Sequence, residues 1–313
     1  MADPEFKHVA IIGIGLLGSS IAHAVNAYGG ADKVSMWDIS EDVRARAARV
    51  VPGTVCGTAQ EAVTGADCVI LCTPVGVLQE VTGKIAGALS DGAILTDVGS
   101  VKAKAAADMR AACPAEVHLI PGHPIAGTEK SGPEAGFASL FQDTWHILTP
   151  GTDPSADYQN AVARLTAFWI RLGAKVETMD AHRHDRVLAI TSHLPHLIAY
   201  NIVSTAYDME SVEQGEVVKY SAGGFRDFTR IAASDPTMWR DVFLTNKDAV
   251  LETLGRFSED LAALQRAIRW GDGDMLMKEF SRARGIRKAI IDAGLDTAEA
   301  DFGRRQLDPD QDE

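Results

Sequence analysis

At 313 residues, with 46% hydrophobic residues and a mean hydropathy of −0.02, the chain has material for two domains and more than one apolar core. Its net charge of −13 argues against a nucleic-acid partner, which calls for basic stripes. It also means that an anionic ligand must be captured by a local cluster of positive groups. The longest apolar run, "HVAIIGIGLLGSSIAHAV", is interrupted by glycine, serine and histidine. No run therefore suggests a membrane-spanning helix of ~20 apolar residues, and the N-terminus lacks the pattern of a leader peptide. Cys56, Cys68, Cys72 and Cys113 form no CxxC and read as reduced thiols of a cytoplasmic protein rather than as disulfides or a metal site. "MADPEF" reads as a cloning remnant outside the fold, because joined BamHI and EcoRI sites can encode Asp-Pro-Glu-Phe.

In chain order, "KHVAIIG" (residues 7–13) predicts a buried strand, and "LLGSSIAHAVNAYG" a helix that stops at Gly29-Gly30. "KVSMWD" predicts a second strand, followed by the helix "SEDVRARAARV", capped by Ser40 and with acids in its first turn. "ADCVILCTP", "GAILTDVGS" and "EVHLIPG" repeat the theme, each an apolar run ending in a turn. Short apolar strands alternating with helices define an α/β protein with a parallel, doubly wound sheet. "TWHILTP" and "AKVETMD" add two strands around a helix at about 155–172, which takes the first domain to residue 180. Strand signals then vanish. "AHRHDRVLAITSHLPHLIAYNIVSTAYDM", the segment from "DPTMWRD" to "AIRWG", and "GDMLMKEFSRARGIRKAII" carry apolar residues at helical spacing. Residues 181–298 therefore form an all-α domain, and residues 299–313, ending "DPDQDE", a disordered acidic tail.

"GIGLLG" supplies Gly13, Gly15, Leu16, Leu17 and Gly18 in a G-x-G-x-x-G turn between the first strand and its helix. Gly13 permits the tight turn, Gly15 lets backbone N–H groups reach a pyrophosphate, and Gly18 allows close helix–strand packing. Asp38, 20 residues past Gly18 at the end of the second strand, would bind the adenosine ribose and repel a 2′-phosphate, which favours NAD over NADP. Arg44 and Arg46 lie too far along the next helix to read as a phosphate clamp. Cys72, Thr73 and Pro74 close another strand and should line the same crevice, unless the Thr73 hydroxyl caps a helix instead.

"TDVGSVK" brings Ser100 to a further strand end, where it either caps the next helix or faces the cofactor. "PGHPIAG" holds His123 between glycine and proline at the same rim. An imidazole titrating near neutrality can exchange a proton there, and an incidental surface histidine is the alternative. His193 and His196 in "TSHLPH" are spaced for a metal pair but lack a third ligand nearby, so buried structural histidines are the alternative. In "GGFRDFTR", Arg226 reads as a surface charge and Arg230 as the better carboxylate clamp.

These segments, taken in order over residues 7–290, resemble the prephenate/arogenate dehydrogenase family of tyrosine biosynthesis. "GHPIAGTEKSG" and "DFTRIAASDPTMW" are the specific motifs, whereas the glycine turn is shared by many dehydrogenases. The resemblance implies a Rossmann dinucleotide domain joined to a helical dimerisation domain, NAD as cofactor, and a homodimer. It implies oxidative decarboxylation, in which hydride leaves the carbon bearing the 4-hydroxyl and the ring carboxylate departs as CO2. By resemblance, His123 is the base toward that hydroxyl, and Ser100 orients hydroxyl and nicotinamide. Arg230 binds substrate carboxylate, His196 is a second substrate contact, and Glu129 and Asp227 form an ionic network with that arginine. The rivals are a β-hydroxyacid-type dehydrogenase, whose helical lysine has no convincing counterpart in "TSHLPHLIAYN", and a non-catalytic NAD-binding regulatory protein. The choice between prephenate and arogenate is not readable from the residues.

Overall fold

The computed structural model describes residues 3–128, 130–210 and 223–292. Six strands form a parallel sheet in the order β3-β2-β1-β4-β5-β6: β1 Phe6–Ile12, β2 Ala31–Trp37, β3 Thr54–Val55, β4 Cys68–Leu71, β5 Ile94–Asp97 and β6 His118–Leu119. The first five connections carry helices α1 Leu16–Tyr28, α2 Glu41–Val50, α3 Ala59–Val63, α4 Leu78–Ile85 and α5 Ala103–Ala112. Chain order reverses between β1 and β4, whose last residues pair as Ile12↔Leu71. A crevice therefore opens above the C-terminal ends of these two strands, where an open α/β sheet binds its ligand.

Glu5 and Phe6 belong to this fold, contrary to the reading that leaves them outside it. Phe6 opens β1 and is buried edge-on against Phe168 at 5.4 Å between ring centroids. The Glu5 carboxylate takes two 2.7 Å hydrogen bonds from the Arg171 guanidinium. Ser40 caps α2 as expected, accepting from the Val43 N–H at 3.3 Å, with Glu41 and Asp42 in the first turn.

After β6 the chain leaves the parallel sheet. Ile120 still donates to the Leu95 carbonyl, but Pro121 has no N–H with which to continue. Residues Gly122–Pro124 instead form β7, antiparallel to β8 Trp145–Leu148, which runs parallel to β9 Lys175–Thr178. Helix α6, Ala156–Arg171, joins β8 to β9 and buries Leu165, Phe168 and Trp169. His123 is thus a strand residue opposite Ile147 and not a loop residue.

Asp180 caps α7, Ala181–Leu188, through the Arg183 N–H at 3.0 Å. The helix widens into a π turn at Ala189–His193 and continues as α8, Leu194–Glu210. Ala181–Met209 is long and apolar enough to cross a membrane by length and composition alone, which the sequence reading did not anticipate. Helices α9 Gly223–Thr229, α10 Pro236–Thr245, α11 Lys247–Trp270 and α12 Gly273–Asp292 follow. Two compact units result, Met1–Thr253 and Leu254–Glu313. Trp239 and Val242 of α10 join the apolar cluster formed by Ile12, Leu71, Val75 and Leu78 within the first unit. In the second, Trp270, Met277 and Phe280 are exposed. The expected acidic tail lies outside the described residues.

His146 on β8 stacks on Trp169 at 3.8 Å, fully buried, and neither ring nitrogen has a hydrogen-bond partner. Burial pushes its pKa well below the ordinary value, and the Lys102 charge adds to this. The unfolded chain therefore binds more protons below pH ~6.5, so stability is full above that pH and falls beneath it, by about 1.4 kcal/mol per pH unit for one such group. His146→Leu should flatten the fall of melting temperature between neutral and mildly acidic pH. An unchanged slope would assign the acid sensitivity to other groups.

Candidate active site

The glycine turn leaves β1 with Gly13 at φ +101°, and a Cβ there would come within 2.5 Å of the Cys72 carbonyl oxygen. At Gly18 a Cβ would lie 2.0 Å from the Gly13 oxygen. Gly15 differs, because nothing lies within 4 Å of the position its Cβ would take. Its open side and the N-terminus of α1 together make a cradle for a phosphate group. Leu16 and Leu17 begin the helix and pack partly against the core. Both carboxylate oxygens of Asp38 accept main-chain bonds at 2.9 Å, one from Ile14 and one from Ser40. The acid thus pins the glycine turn to the end of β2, and each oxygen keeps a lone pair for a ribose hydroxyl.

Across the crevice, Cys72, Thr73 and Pro74 leave β4. Burial raises the Cys72 thiol pKa, so it is not a thiolate. Thr73 is not a helix cap: the short helical turn after it has Pro74 at its cap, and the Thr73 Oγ1 is buried without a partner. An orphaned hydroxyl beside an open glycine cradle suits a dinucleotide.

Asp97 ends β5 and is fully buried with Lys102, whose Nζ binds the Asp97 carboxylate and the Gly122 carbonyl, the latter at 2.7 Å. Burial lowers the Lys102 pKa, and Asp97 opposes that shift. Ser100 is not an N-cap, because α5 begins only at Ala103. The free N–H groups of Lys102 and Ala103 donate instead to the two carboxylate oxygens of Asp185, at 2.8 and 2.9 Å. The half-buried Ser100 is left in the turn above β5.

His123, 9% exposed, meets His184 at 2.9 Å between Nδ1 and Nε2, and His184 Nδ1 meets Asp185 at 2.9 Å. A carboxylate only accepts, so His184 Nδ1 carries the proton and its Nε2 is an acceptor. His123 Nδ1 must then donate, which leaves the lone pair on His123 Nε2. Burial pushes the His123 pKa well below the ordinary value, and charge on His184 and Lys102 acts in the same direction. A neutral, oriented imidazole results.

Asn246 extends the chain of contacts, donating to the Asp185 carbonyl at 2.9 Å and lying 3.1 Å from His193 Nδ1. Burial lowers the pKa of His193 to about 4. Trp239 meets His193 edge-on at 6.0 Å and stacks on His196 at 3.7 Å. His196 Nδ1 donates to the Ser192 carbonyl at 2.9 Å, leaving Nε2 as an acceptor. The two histidines have different hydrogen-bond partners, Asn246 and Ser192, and share the Trp239 ring. Arg230, half-buried in a short turn after α9, is close enough for its charge to lower the His196 pKa, after burial itself. Asp227 is exposed on α9, and Glu129 lies outside the described residues.

His184, Asp185, Asn246 and Trp239 were not picked out in the sequence. One signal was available: His184, Asp185 and Leu188 are the buried residues of an otherwise charged α7, and their spacing is helical.

A glycine cradle at a sheet switch point, in a chain that also holds a buried imidazole relay anchored to the turn after β5, fits a nucleotide-dependent dehydrogenase with a helical C-terminal part. The family descriptions "Prephenate dehydrogenase, nucleotide-binding domain" and "Prephenate dehydrogenase, dimerization domain" match residues 21–178 and 180–282. Cyclohexadienyl dehydrogenase of Zymomonas mobilis is 43% identical over 286 residues, covering 91% of this chain and 96% of that protein. Prephenate dehydrogenase of Bacillus subtilis is 31% identical, covering 90% and 76% respectively. The crystal structure of A. aeolicus prephenate dehydrogenase with hydroxyphenyl propionate and NAD+ has a TM-score of 0.82 at 33% identity, covering 93% of this chain and 99% of that one. The chain belongs to the prephenate dehydrogenase family.

Proposed function

We propose that the chain is an NAD-dependent dehydrogenase that oxidatively decarboxylates prephenate to 4-hydroxyphenylpyruvate, arogenate to tyrosine, or both. The observation that carries this reading is the His123–His184–Asp185 relay, which leaves the Nε2 of His123 as an acceptor. Gly13, Gly15, Gly18, Asp38 and Thr73 would hold the dinucleotide, which when bound supplies the hydride acceptor. His123 Nε2 accepts the hydrogen bond of the substrate 4-hydroxyl and draws its proton as hydride leaves the same carbon. The electron pair of the ring–carboxylate bond then moves into the ring, and CO2 departs. The proton returns to the oxygen of the new phenol. Ser100 orients the hydroxyl, His196 Nε2 receives a substrate donor, and Arg230 pairs with a substrate carboxylate.

The dinucleotide part over residues 1–180 and the helical part over 181–298 are supported by the two family matches, which meet near the same point. The reading includes a cytoplasmic homodimer through the helical part; the dimerization-domain match and exposed Ile190, Ile202, Val203, Tyr207 and Met209 along the 181–209 helix support the pairing.

The test is NADH formation on adding prephenate or arogenate, and absence of turnover with both would reject the function. Arg230→Ala should raise KM about 10–100-fold with kcat nearly kept, the loss expected for a charge-assisted pair. An unchanged KM would move the clamp elsewhere.

A further inference from the structure

Arg44, which spacing alone sets aside, is folded back onto the end of β2. Its Nη1 donates to the main-chain carbonyls of Asp38 at 2.7 Å and Ile39 at 3.3 Å, and the guanidinium lies 6.0 Å from the Trp37 ring centroid. Carbonyl dipoles hold the group in place without cancelling its charge. Arg46, one half-turn on, is neutralised by Asp42 and Glu134 at 2.9 and 2.7 Å. Arg44 has no such carboxylate partner among the described residues, since the Asp38 carboxylate is engaged by the Ile14 and Ser40 N–H groups. Beside both stands Ile39, 79% exposed, an apolar surface held out at the strand end where a purine can lie. One strand end thus presents an acid, an uncompensated cation and an apolar face.

We propose that Arg44 is a second determinant of the adenosine subsite, a fixed cation able to hold a 2′-phosphate, and that Asp38 alone excludes phosphorylated dinucleotides. The inference rests on the reading of the glycine crevice as a dinucleotide site. A guanidinium with one nitrogen anchored keeps its other N–H groups for a phosphate, in the paired geometry that suits it. Asp38 opposes this by like-charge repulsion, and removing one charge exposes the other.

The experiment is calorimetric binding of 5′-ADP and 2′,5′-ADP to the wild-type protein, Asp38→Asn, the double variant Asp38→Asn/Arg44→Met, and Asp38→Asn/Arg44→Lys. The readout is the ratio of the two affinities, which cancels any general loosening of the glycine turn. Asp38→Asn should shift that ratio at least about tenfold toward 2′,5′-ADP. The methionine double variant should lose the shift, and the lysine double variant should keep part of it. A shift that survives Arg44→Met, or no shift in Asp38→Asn while 5′-ADP still binds, overturns the role of Arg44. Failure of the wild-type protein to bind 5′-ADP overturns the dinucleotide reading itself.

Discussion

Replacing His123 by asparagine should lower kcat by about 10²–10⁴ and leave KM nearly unchanged, the range typical of losing a general base. Asparagine keeps a hydrogen-bonding group on β7 but cannot take up the hydroxyl proton. The loss is confined to the transition state, so it appears in kcat. The arrangement behind the base makes the prediction sharp. Asp185 sets the His184 tautomer, His184 sets that of His123, and burial keeps the acting imidazole neutral. Wild-type turnover in the variant would remove His123 from the chemistry.

Lys102→Met should give the largest loss of stability. It removes the positive half of a pair that is fully buried on both sides and leaves the Asp97 carboxylate uncompensated. Breaking such a pair costs about 3–5 kcal/mol, and for a chain of this length the melting temperature should fall by on the order of 10 °C. Adding Asp97→Asn should recover part of the loss, because no buried charge is then unpaired. A single variant melting with the wild type would show that the pair contributes nothing net. The Gly122 carbonyl also loses its Lys102 donor, so the strand carrying His123 should loosen.

The parallel sheet and its ligand crevice were legible because each rests on short-range pattern: apolar strands of regular spacing, turns of glycine and proline, and an acid at a set distance from "GIGLLG". The cap alternative for Ser100 failed for the opposite reason. A serine before a helix is a natural local cap, but the actual cap, Asp185, is 83 residues away in the chain. The departure of β7 into a second sheet is likewise non-local, since only its pairing with β8 shows where the chain goes after Pro121. Phe6 and Glu5 were set aside on grounds of origin, yet the aromatic core and Arg171 use them. Among the candidate site residues, His123, Arg230 and His196 lay in motifs, whereas His184 and Asp185 lay in a polar stretch whose inward face is visible only by helical phase.

The wide turn at Ala189–His193 changes the angular relation between the histidines on either side of it. His184 and His196 are 12 residues apart, and at about 100° per residue a regular helix would aim them roughly 120° from each other. A single extra residue absorbed in the turn reduces that divergence to about 20°. The relay partner and the Trp239-stacked histidine thereby look in nearly the same direction along one rod. Straightening the wide turn into regular helix with every residue kept would swing the two apart while leaving every side chain's identity intact.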